Sequence, residues 1–128
     1  MSDTDKVSFN LSVVDLGKVD VLIDQGFYSS RTDFMVTAVR NQLAPHTINI
    51  TEAVARSSMV VGVHTVGRKT LENVQAKRQQ MDINVVGLFV LANDVTPELA
   101  RATIRSVKVH GAFRASTEVK EALKDRMQ

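Results

Sequence analysis

Residues 6–43 read KVSFNLSVVDLGKVDVLIDQGFYSSRTDFMVTAVRNQL. Lys6–Leu11 alternates, with Lys6, Ser8 and Asn10 on one face and Val7, Phe9 and Leu11 on the other. Period two predicts a half-buried strand. From about Val13 the period becomes helical. Leu16, Val19 and Ile23 recur at helical spacing, with Asp15, Lys18 and Asp20 between them. Gly17 falls inside this helix, where it costs about 1 kcal/mol against Ala. It either lets two chains' helices pack closely or is a tolerated weak spot. Gly26 is expected to end the helix as a left-handed cap. Ser30 is a good N-cap for a second helix, with Asp33 three residues on as a short capping-box acid. Phe34, Ala38 and Val39, with Met35 beside them, form its apolar stripe, and Pro45 is expected to close it. One strand and two helices are too little chain to bury a core alone, so this unit is expected to fold as a pair.

The run Gly26-Phe27-Tyr28-Ser29-Ser30-Arg31-Thr32-Asp33-Phe34, taken with the alternating strand and first helix, resembles the ribbon-helix-helix family of dimeric bacterial repressors over residues 6–43. The resemblance implies an antiparallel ribbon made by one strand from each chain and laid in the major groove of double-stranded DNA. It implies base reading by Lys6, Ser8 and Asn10. It also implies phosphate binding by Ser29, Ser30, Arg31 and Thr32 at the start of the second helix. Val7, Phe9, Leu11, Leu16, Val19, Phe34, Ala38 and Val39 would form the dimer core. Residues 1–46 are thus expected to be a dimerising, DNA-binding domain of an obligate homodimer, most simply a repressor.

Charge cuts across that reading. Residues 1–46 carry four Lys/Arg against six Asp, and residues 47–128 carry twelve against eight acids. The strand has Lys6 as its one cation, whereas a DNA reader should show a basic footprint. The acidic balance favours a second reading, an antitoxin-like or scaffold protein in which the ribbon only dimerises.

Residues 47–128 read as a small β/α domain for oligomerisation or sensing, giving an α+β chain overall. Thr47–Ser57 suggests a short helix with Thr51 at its cap. Then Val60-Val61-Gly62-Val63, Val85-Val86-Gly87-Leu88 and Val109-His110-Gly111-Ala112 recur, their glycines spaced by 25 and 24 residues. A helical run follows each: Lys69–Gln80 with Leu71 and Val74; one from Thr96 with Pro97 first, carrying Leu99 and Ile104; and Ser116–Gln128 with Val119 and Leu123. This predicts three strand–helix repeats in a parallel, solenoid-like stack. Ile83–Ala92, almost wholly apolar, is its central strand. The alternating run Val107, Val109 and Phe113 against Lys108, His110 and Arg114 is its edge. A ferredoxin-like domain is the competing layout. Open stack ends expose apolar side chains unless covered. The last helix is expected to cap one end. Residues 47–57 or a second chain would cover the other, so a tetramer is plausible, as is a protein partner such as a toxin.

Other chemistries find little support. The chain has no cysteine, so disulfides, thiolate metal sites and a Cys nucleophile are excluded. No apolar run approaches the roughly 18 residues of a membrane span, and the polar MSDTDKVSFN start is unlike a secretory signal. These features lead to an expected cytoplasmic location. Gly62 to Thr70 nearly matches a phosphate-cradling loop, but Arg68 and Lys69 stand one place out of register and Thr70 comes late. A nucleotide- or anion-binding switch there, with Arg68 and Lys69 holding the anion and Asn93-Asp94 imitating a second nucleotide motif, is the weakest reading. His46, His64 and His110 lack the companions of a metal site, although His64 and His110 lie near equivalent strand positions and could approach each other. No serine has a base and orienting acid. No enzyme and no cofactor is expected. Lys77-Arg78 and Arg101, Arg105 and Lys108 are basic runs that could add phosphate contacts.

Overall fold

A computed structural model describes residues 3–128, so Met1 and Ser2 of the polar N-terminal run lie outside the described residues. The described residues divide into two compact units, residues 6–53 and residues 3–5 with 54–128. The division falls inside a helix, seven residues beyond the expected boundary at 46.

In the first unit, α1 spans Val13–Asp24 and α2 spans Arg31–Leu43. Ser12 starts α1 by accepting the Asp15 amide at 3.1 Å. Gly26, at φ +86°, ends it. The Gly26 amide donates to the Ile23 carbonyl and Phe27 to Leu22, which is the paired bonding of a Schellman cap. Ser30 caps α2 as expected. Pro45 does not lead into a loop. It sits in a 3-10 turn, Ala44–His46, that runs directly into α3, Thr47–Arg56. Proline is tolerated there because first-turn amides need no intrahelical acceptor. Thr51 is therefore mid-helix, donating its hydroxyl to the Thr47 carbonyl, rather than a cap.

In the second unit, β1 (Val60–Val66), α4 (Arg68–Ala76), β2 (Met81–Leu91), α5 (Pro97–Thr103), β3 (Ile104–Arg114) and α6 (Thr117–Ala122) alternate. The sheet order is β1-β2-β3 with both pairs parallel. This is the repeat expected from the sequence. An all-parallel sheet rules out the ferredoxin-like layout. Helix limits differ from expectation. Ile104 is the first residue of β3, and the run after Ser116 helps form a six-residue helix and a separate 3-10 turn, Lys124–Arg126, instead of continuing to Gln128.

One face of the sheet is covered by all three helices. Ile83, Val85, Phe89 and Leu91 pack with Leu71, Leu99, Ala100, Val119 and Leu123 in a single apolar core. Register stacks equivalent residues into rows across the strands: Val60, Val85, Val109; Gly62, Gly87, Gly111; His64, Phe89, Phe113. The glycine row has a steric cause. All three take φ between +124° and +132°. A Cβ on Gly87 would strike the Gly62 carbonyl, and one on Gly111 the Gly87 carbonyl.

Candidate nucleic-acid interface

The predicted ribbon segment, residues 6–11, carries neither helix nor ladder in the single chain. Its apolar face is open to solvent, with Val7 78% and Phe9 63% exposed. Lys6, Ser8 and Asn10 are exposed too. Of the other expected dimer-core residues, Leu16 and Phe34 are half-buried, and Ala38 and Val39 are exposed. Val19 is the one buried apolar side chain among the described residues of this unit. A unit with so little core gains apolar burial only from further chain.

The start of α2 was expected to hold a phosphate, and its side chains are already engaged. The Asp33 carboxylate accepts from the Ser29 amide at 3.0 Å and from the Ser29 hydroxyl at 3.1 Å. The Asp33 amide in turn donates to Ser30 Oγ at 3.1 Å. Arg31 reaches back to α1, its guanidinium forking onto both Asp20 oxygens at 2.9 and 2.8 Å. That bond lowers the Asp20 pKa and raises that of Arg31. Tyr28 meets Phe34 edge-on, with ring centroids 4.9 Å apart, and ties the interhelical loop to α2. Thr32 is exposed in the first turn, where amides lack intrahelical acceptors. Of the four expected phosphate contacts, Ser29, Ser30 and Arg31 thus have internal bonds. Sequence reading missed the Asp20–Arg31 pair because eleven residues separate its members. It read Asp33 as a cap acid without foreseeing its bond to Ser29.

The loop expected to imitate a phosphate cradle has a different form. Gly62 lies within β1, and Gly67 alone separates β1 from α4. The Arg68 amide donates to the Asp94 carboxylate at 3.2 Å, and the Arg68 side chain pairs with Glu72. Asp94 thus caps the start of α4, and its carboxylate takes the Arg68 amide that an anion would otherwise use.

The basic runs are partly neutralised. Arg101 pairs with Asp125 at 3.0 Å. Arg105 pairs with Asp82, whose pKa falls to about 2 under hydrogen bonds from Arg105 and Ser106. His64 and His110 do not meet, because they stand on β1 and β3 with β2 between. His64 stacks on Phe89, centroids 5.9 Å apart, while His110 shares its row with Val86. No group of His, Asp or Glu suited to a metal occurs among the described residues. No helix there is long and apolar enough to cross a membrane. A cleft of about 440 Å³ opens at the carboxyl ends of the strands. Arg114, its one charged lining residue, donates to the Thr4 carbonyl at 2.9 Å.

A family model described as the ribbon-helix-helix transcriptional regulator family matches residues 2–120. The match takes in most of the sheet unit as well as the 6–43 stretch that carried the sequence resemblance. No curated protein and no solved structure matches the chain.

Proposed function

This chain belongs to the ribbon-helix-helix transcriptional regulator family, and we propose that it acts as a homodimeric repressor reading double-stranded DNA with residues 6–11 of both chains. In that dimer Val7, Phe9 and Leu11 turn inward, and Lys6, Ser8 and Asn10 face the major groove. The exposed apolar face of a segment without a ladder partner carries this reading. A two-stranded ribbon fits the major groove, where Asn bonds adenine bidentately and Lys donates to guanine. The amides of Arg31 and Thr32 supply the backbone phosphate contact, with Thr32 and the Ser29–Ser30 hydroxyls beside them. The sheet unit adds a second self-association contact.

The test is binding of the full chain to its own upstream DNA and to random duplex across a salt series. Site-selective binding that weakens steeply with salt supports the reading. Asn10→Ala should cost roughly 1–3 kcal/mol and relax base preference. Unchanged binding by that variant would sink base readout by the ribbon.

A second reading is favoured by the internal engagement of Ser29 and Arg31 with Asp33 and Asp20. There the ribbon only dimerises the chain, and the sheet unit grips another protein. A folded oligomer with no DNA binding at low salt would select it.

A further inference from the structure

We propose that the sheet units of different copies join end to end, β1 of one copy adding in parallel to the open edge of β3 of the next. The assembly deepens the self-association proposed above and is independent of DNA reading.

The argument starts at Gly62. At Gly87 and Gly111 the left-handed φ is matched by a neighbouring glycine carbonyl that lies where a Cβ would go. Gly62 has the same conformation, φ +124°, and nothing within 4 Å of its Cβ position. β1 is thus shaped for one more glycine-bearing strand on its outer side. Its side chains agree: Val60, Val61 and Val63 are 51%, 64% and 55% exposed, on both faces of a strand without a formal charge. An uncharged apolar edge of this kind invites pairing.

A second copy's β3 offers the matching edge. Among the described residues, Met127 bridges Val107, and the Gln128 amide donates to the Val107 carbonyl at 2.8 Å. Both contacts lie at the beginning of the edge, two residues before Val109. Continuing the internal register, in which Val60 meets Val85 and Val85 meets Val109, sets Val60 against Val109 of the second copy. The added strand therefore starts two residues past Val107, where Met127 and Gln128 bond. Gly62 then meets Gly111, and His64 extends the Phe89–Phe113 row. Val61 meets His110, Val63 meets Ala112 and Thr65 meets Arg114, so no like charges face each other. Such a contact is heterologous, joining unlike edges, so assembly is not held to two copies and grows with concentration.

The chain's lack of cysteine makes the register directly testable. Full-length Val63→Cys and Ala112→Cys proteins would be mixed in equal amounts and oxidised. Neighbouring strands lie about 4.8 Å apart, within disulfide reach. The expected product is the mixed Val63→Cys/Ala112→Cys pair, with a ladder of covalent multimers from the double variant. Preferential Val63→Cys self-pairing would show a two-fold β1–β1 contact and overturn the proposal, as would a double variant that stays uncrosslinked. Sedimentation supplies the second arm. The unaltered chain should show concentration-dependent species above the dimer. Gly62→Ala, whose Cβ would meet the incoming Gly111 carbonyl, and Val61→Lys should each abolish them. Parent protein that remains a dimer up to high concentration overturns the inference, whatever its DNA binding.

Discussion

At the scale of single residues, two glycines with opposite surroundings give opposite predictions. Gly87 has φ +132°, and its Cβ position is filled by the backbone of Gly62. Alanine there must break either the strand conformation or the register, so Gly87→Ala should destabilise by on the order of 3 kcal/mol. Gly17 lies in α1 with nothing within 4 Å of its Cβ position. The helix-propensity difference then acts alone, and Gly17→Ala should stabilise by about 1 kcal/mol. Denaturant midpoints of the two variants check both values. If Gly17→Ala instead weakens the dimer, a second chain's helix packs against that position.

At the scale of elements, residues 6–11 carry no ladder of their own, and in the proposed dimer they pair with a second chain. Phe9→Glu should leave the sheet unit folded, since the apolar core of that unit contains no residue of the ribbon. It should also prevent dimerisation by putting a charge into the buried face of the ribbon. Sedimentation at falling concentration, with circular dichroism alongside, separates these effects; a dimer of parental strength would rule out an inward Phe9. Legibility follows the same division. The caps at Gly26 and Ser30 and the three strand–helix repeats were readable because each depends on local sequence, a glycine row or a period. The occupied helix starts were not. Asp33 closes onto Ser29, Arg31 onto Asp20, and Asp94 onto the Arg68 amide across 26 residues. Polar contacts that skip along the chain leave no period. The end of the helix after Thr96 was also misread, because Ile104 continues an apolar spacing that fits either a helix or the strand it begins.

Across the whole molecule, acid is the condition that discriminates. Asp20, Asp82 and Asp125 each accept from an arginine, and each has its pKa lowered by that hydrogen bond. A carboxyl whose folded pKa is depressed contributes its full share of stability above its unfolded pKa and loses it as pH falls through the folded one. For Asp82 that window runs from the ordinary 3.8 down to about 2. Melting temperature should therefore be insensitive to these pairs near neutrality and fall as pH drops below about 4. Both members of each pair are exposed, so the acid-sensitive part should also shrink in high salt. Asp82→Asn removes one titrating carboxyl from the sheet unit, and Asp20→Asn removes one from the helical unit. Each should flatten part of the acid limb, and the Asp20 change should also release Arg31 at the start of α2. If Arg31 serves DNA phosphate, Asp20→Asn strengthens DNA binding at neutral pH while leaving base preference unchanged. Equal affinity in parent and variant would leave Arg31 a tie between α1 and α2 and assign the phosphate contact to the helix amides alone.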